Sequence, residues 1–302
     1  MQKYFIVLFI FFISCKSKNP NIKSKENTLK VIKTTDYELV KSKNQNGLLI
    51  LFPCFPCDIE NTKTEFNIAE ISAKNAISVL YMNFNMHLYL TETEKLDLAT
   101  LITKTIREEK ISEKNIFIGG FSGGGNVSLL ITDYLLKSKN LIKPKGVFIV
   151  DAPIDLLALY RVSEKNLKLN FSKSSMQESK WILREFDSLF GNPSEGINTY
   201  EKNAPYTFES ENINNLIGLN GLKVRLYTEP DLIWWKKKAK NNYEDLNAFY
   251  LKKLSEKLKL EFNETNIELI ETKNKGYRAN GERHPHSWSI VDKEDLIKWI
   301  LE

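Results

Sequence analysis

The sequence predicts an α/β fold, a mostly parallel central sheet with helices on both faces. Three observations carry that prediction. Continuous apolar runs such as Gly47 to Phe52 (GLLILF) and Gly146 to Val150 (GVFIV) have the character of strands buried on both sides. Segments of helical spacing lie between them, and alternation of this kind implies parallel strands joined by covering helices. One apolar run, Asn115 to Gly119, leads into a serine flanked by glycines, with a helical pattern directly behind it.

Taken in order, residues 1–14 form a basic start at Lys3, an apolar stretch from Tyr4 to Ile13, and Ser14. That is the layout of a secretory signal peptide, too short to span a bilayer. Phe12-Ile13-Ser14-Cys15 resembles the lipobox of bacterial lipoproteins, which implies that Cys15 is lipidated; Phe12 stands where leucine is usual, so simple cleavage and secretion is the alternative. An exported protein held to the membrane of the cell envelope by its lipid is the expectation. Residues 15–28 lack apolar content and are expected to form a tether.

Residues 29–302 are expected to be one folded domain. Leu29 to Lys41 predicts one or two short strands, and Ala76 to Phe84 a strand. Glu65 to Lys74, Glu94 to Glu109 and Asn126 to Leu136 predict helices. Lys223 to Tyr227 and Asn266 to Ile270 supply later strands, and Ile290 to Leu301 a terminal helix. The stretch from Asp155 to about Leu219 breaks the rhythm. It is longer than one crossover needs, carries a helical pattern at Lys180 to Leu189 and a loop signal at Gly191-Asn192-Pro193, and is expected to be an inserted helical cap. Trp181, Tyr200, Tyr206 and Phe208 are candidates for lining a pocket there or for packing inside it.

Composition narrows the function classes. With 302 residues, 42% of them hydrophobic, the chain can bury a large core. Its net charge of +5, from 43 basic and 38 acidic residues, is too mild and too evenly spread to argue for nucleic acid. The densest basic stretch, Lys236-Lys237-Lys238-Ala239-Lys240, reads as a solvated helix face.

The run Gly120-Phe121-Ser122-Gly123-Gly124 matches the G-x-S-x-G spelling of a nucleophile elbow, in which the serine sits on a strained strand-to-helix turn and residues two away must be glycine. A P-loop would need Lys and then Ser or Thr after Gly125, where Asn126 and Val127 stand. A dinucleotide fingerprint would need a third glycine where Ser128 stands.

A serine hydroxyl needs a base, and the base needs an orienting group. The chain has 3 histidines. His87 precedes the serine, while His284 and His286 lie just before the terminal helix. Here the chain resembles the α/β-hydrolase family, whose triad runs Ser, then Asp or Glu, then His before the last helix. That resemblance implies Ser122 as nucleophile and His286 as base, preferred over His284, which Pro285 holds. It implies an acid after the strand Lys223 to Tyr227, with Asp231 preferred, Glu229 the alternative, and Asp151 and Asp155 in reserve at a less common position. It also implies oxyanion donors at Gly123 and, from the loop Pro53-Cys54-Phe55-Pro56-Cys57, at Phe55, although Cys54 stands where the family usually has glycine. The expected function is a serine hydrolase acting on a small acyl compound, an ester by default, with no cofactor and no metal.

Two other readings compete. Cys54-Phe55-Pro56-Cys57 after a buried strand also looks like a thioredoxin dithiol, though in an oxidising compartment the pair would instead form a local disulfide stiffening the loop. The third reading is a non-catalytic binding protein on the hydrolase fold.

Overall fold

The computed structural model describes residues 29–84, 87–139, 141–262 and 264–302. The leader, Cys15 and the tether lie outside the described residues. Two N-terminal strands, β1 (Lys30–Lys33) and β2 (Tyr37–Lys41), pair antiparallel. The unbroken apolar runs become β3 (Gly47–Phe52), β4 (Ile77–Met82), β5 (Ile116–Phe121) and β6 (Gly146–Val150), every residue of which is buried. Strands covered on both faces have no polar side to show, which is why these runs do not alternate. β7 (Lys223–Thr228) and β8 (Ile267–Glu271) complete the sheet.

Among the described residues eight strands form one sheet in the order β1-β2-β4-β3-β5-β6-β7-β8. β2 pairs antiparallel with β4, and the pairs from β4 to β8 are parallel. The carboxyl ends of β3, β5, β6, β7 and β8 therefore open on one edge, where side chains from distant parts of the chain converge.

The helices follow the crossovers. α1 (Ile59–Phe66) and α2 (Ala69–Lys74) lie between β3 and β4, α3 (Glu92–Glu108) before β5, and α4 (Gly123–Lys137) after it. One helix was expected at Glu65 to Lys74; there are two. Asp58 caps α1 by accepting from the Asn61 N–H, and the chain turns at Asn67, where φ is 21°, before α2 starts. α3 opens on a full capping box between Thr91 and Glu94.

Between β6 and β7 run α5 (Leu156–Leu169), α6 (Lys173–Phe190) and the short α7 (Asn198–Asn203). They build an apolar cluster of their own from residues such as Leu157, Tyr160, Ile182, Phe186 and Tyr200. α8 (Leu232–Ala239) and α9 (Asn247–Glu261), the latter not anticipated, separate β7 from β8. α10 (Lys293–Leu301) starts three residues later than the apolar pattern suggested, because Asp292 caps it and residues 288–290 form a 3₁₀ turn.

Period-two alternation sorts the core. Leu49 and Leu51 of β3 join α1, α2 and α10 on one side, while Leu48, Ile50 and Phe52 join α3 and α4 on the other. Trp288, fully buried, stacks on Phe66 at 4.3 Å and anchors the segment before α10 to that first face. Trp288→Ala is expected to lower the unfolding free energy by about 3–5 kcal/mol in urea titration. Trp288→Phe, which keeps an aromatic face against Phe66, should cost a fraction of that; equal losses would mean the stack is not what holds the segment.

Candidate active site

A strained turn joins β5 to α4. Ser122 sits there at φ 54°, ψ −126°, donates its N–H to the Val150 carbonyl at 2.9 Å and accepts from the Gly125 N–H at 2.9 Å. A non-glycine residue in this region stores about 1–3 kcal/mol of strain. The flanking glycines are needed for space. A Cβ on Gly120 would lie 2.1 Å from the Gly124 carbonyl oxygen, and one on Gly124 would lie 2.3 Å from that of Pro53. The turn thus presses α4 against the end of β3 and carries Ser122 out at the sheet edge.

His286, in the loop after β8, hydrogen-bonds through Nδ1 to Asp151 Oδ2 at 2.6 Å, with the Phe121 ring packed 4.5 Å away. With an ionised carboxylate as partner, Nδ1 carries the proton and Nε2 is left as acceptor. Asp151 follows β6 directly, at φ 44°. Thr228 donates its hydroxyl to Oδ1 at 2.7 Å, and Asn247 Nδ2 donates to the Asp151 backbone carbonyl at 2.8 Å. Neither Thr228 nor Asn247 was itself singled out from the sequence.

The carboxylate on His286 is therefore Asp151, held in reserve from sequence, and not Asp231. Asp231 instead caps α8 through the Trp234 N–H at 3.0 Å and receives Arg283 Nη2 at 2.7 Å. Glu229 does not reach His286 either. Its buried carboxylate accepts from Thr272 Oγ1 at 2.9 Å and from the Lys275 and Gly276 N–H groups at 2.8 and 3.2 Å, and it pairs with Arg283. Asp155 caps α5 through the Ala158 N–H and accepts from the Phe208 N–H; burial pushes its carboxyl up to about 6. A count of residues past a strand cannot reveal that an arginine ten positions before the chain's last helix claims both acids at the end of β7.

His284 and His286 are separated in role by what each touches. His284 donates from Nδ1 to the His286 carbonyl at 2.8 Å and lies against Trp234 and Trp235. Burial, helped by the nearby Arg278 charge, pushes its imidazole down to about 4. His87 pairs with Glu94 at 3.1 Å.

Ser122, Asp151 and His286 line one cavity of about 160 Å³. Among the described residues no hydrogen bond joins Ser122 to His286, a common state for such a pair before substrate is bound. One face of α5 (Leu159, Val162, Ser163, Asn166) and Trp181 and Ile182 of α6 form the far wall. Tyr200 and Tyr206, by contrast, are buried packing residues, and Phe208 is exposed. Phe55 stacks on Trp181 at 4.3 Å and lies beside Gly123, whose added Cβ would be 3.4 Å from that of Phe55. Gly123 opens α4, so its N–H is one of the helix's free donors at the positive end of the dipole. Cys54 and Cys57 are joined as a disulfide across a turn in the loop after β3, and the Phe55-Pro56 peptide is cis. The pair sits on an eight-stranded sheet of the order given above, which is not a thioredoxin arrangement.

The neutral state of His284 has a measurable consequence. Unfolded, the imidazole takes up a proton near pH 6.5; folded, it resists until about 4. Unfolding therefore binds a proton in that window, and stability falls as pH drops through it. His284→Gln should flatten this part of the stability-versus-pH curve in urea titrations, leaving other groups' contributions common to both proteins. Parallel curves would show that the ring is not held neutral.

No protein-family model matches the chain, and no curated protein matches it in sequence. Solved structures do resemble it. The Francisella virulence factor BioJ aligns with TM-score 0.54 at 14% identity, covering 91% of this chain and 84% of that one. An esterase of the bacterial hormone-sensitive lipase family aligns with TM-score 0.54 at 12% identity over 91% and 83%, and EstE5 with 0.53 at 13% over 90% and 85%. At such identities the likeness speaks to architecture, and it agrees with the sheet order, the elbow and the position of the last helix: the chain has the α/β-hydrolase fold.

Proposed function

We propose that the protein is a serine hydrolase of carboxylic esters working through Ser122, His286 and Asp151. The observation that carries this reading is the 2.6 Å contact of His286 Nδ1 with Asp151, in a cavity that also exposes the strained Ser122. Ser122 Oγ attacks the acyl carbonyl as His286 Nε2 takes its proton. Asp151 keeps the proton on Nδ1 and stabilises the imidazolium. Charge developing on the carbonyl oxygen falls to the N–H groups of Gly123 and Phe55, two donors fixed before substrate arrives. His286 then protonates the leaving alcohol, and a water activated by the same base hydrolyses the acyl-enzyme. That chains of this fold include esterases supports the reading by analogy. Export on the leader, with Cys15 lipidated, belongs to the same proposal and rests on residues 1–18 alone.

A fluorophosphonate probe and p-nitrophenyl acetate test it together. Labelling and turnover should vanish in Ser122→Ala. Asp151→Asn should lower kcat by about four orders of magnitude, as expected when a triad carboxylate is replaced by an amide, while Asp231→Asn changes it less than about tenfold. Labelling that survives in Ser122→Ala would remove the nucleophile; no labelling of the wild type would favour non-catalytic binding; and the reverse ranking of the two aspartates would restore Asp231.

A further inference from the structure

The structure assigns a second working surface: the exposed face of α8 and the turn between α5 and α6 form a patch that docks on an anionic lipid surface. Leu232 and Ile233 are 45% and 85% exposed, an unusual degree for consecutive apolar residues on a helix. Leu169 and Phe171, 45% and 49% exposed, stand on the α5–α6 turn. The two segments meet where Lys240 Nζ sits 4.6 Å from the centre of the Phe171 ring.

Around these apolar tips lie Lys168, Lys173, Lys236, Lys237, Lys238 and Lys240, all exposed. None of the six is ion-paired among the described residues. Two nearby acids are engaged elsewhere, Asp231 with Arg283 and Asp245 with Lys165, which leaves exposed Glu244 beside six lysines. The combination is therefore a predominantly basic patch that carries exposed apolar side chains. Apolar tips that enter the acyl boundary while lysine stems reach back to the phosphates are the geometry of an interfacial helix. An acidic protein would complement the charge, yet it would not account for an isoleucine left almost fully in water beside it. Asn241 borders both this patch and the catalytic cavity, so docking here sets the cavity beside the lipid surface. The surface belongs to the folded domain and is independent of the leader and of any chemistry at Ser122.

The test uses the full chain carrying Cys15→Ser and Ile233→Cys, with an environment-sensitive fluorophore on the new thiol. Vesicles of phosphatidylcholine with phosphatidylglycerol should shift its emission to the blue, and high salt should reverse the shift; vesicles of phosphatidylcholine alone, and the same label at Lys298→Cys on α10, should show none. Combining Lys236→Gln, Lys237→Gln and Lys240→Gln should lower partitioning onto the anionic vesicles about a hundredfold, at roughly fivefold per lysine. A label at 233 that stays in water while the protein is on vesicles would overturn the assignment. So would an equal shift on neutral lipid, or one that grows with protein concentration without vesicles, which would make the face a contact between copies.

Discussion

The buried carboxylate of Glu229 is the interaction on which the arrangement of the site depends. An ionised carboxyl left 1% exposed is untenable unless donors surround it. Here they come from both ends of one loop: Thr272, Lys275 and Gly276 on the way out, Arg283 on the way back. Arg283 also donates to the Gly276 carbonyl at 2.6 Å, and the His284 N–H reaches the same oxygen at 3.0 Å. The loop is closed on itself over one charge. His286 emerges just beyond that clasp, and Trp288 enters the core two residues later, so the imidazole is held between an electrostatic anchor and a packed aromatic one.

This division of labour explains what was legible in the chain. The strands of the sheet centre were readable because burial on both faces leaves only apolar residues, and the elbow because its glycines answer a steric demand confined to five positions. The place of His286 before the last helix was readable because it is local. The carboxylate that meets it was not. β6 and β7 are paired with Val150 opposite Tyr227, so the residues just beyond each strand are neighbours in space while far apart along the chain. Nothing local distinguishes an aspartate that faces the histidine from a glutamate that faces an arginine. Only the pairing partner decides, and Arg283 lies 54 residues from Glu229.

The same logic covers the helix boundaries. The α1–α2 break is set by a backbone turn at Asn67 that an apolar pattern averages away. α9 has its apolar residues Leu251, Leu254 and Leu258 at helical spacing, and they pack on β7 and β8. Their signal was present but diluted by the lysines between them. The helices after β6 pack mainly against each other, which makes their positions a matter of tertiary contact.

Strain links Ser122 and Asp151. Ser122 and Asp151 occupy corresponding places past two adjacent strands, and both have positive φ. The Ser122 N–H is bonded to Val150, and the Asp151 N–H to Tyr227, so each strained residue is fixed by the strand beside it. A shift in one would disturb the frame of the other. His284 adds an electrostatic condition. Its ring centre is 6.3 Å from that of His286, close enough for a charge on one to oppose a charge on the other. Burial against Trp234 and Trp235 favours the neutral His284 ring. The tryptophans beside the lysine patch thus favour an uncharged ring next to His286, the condition that the proposed base requires.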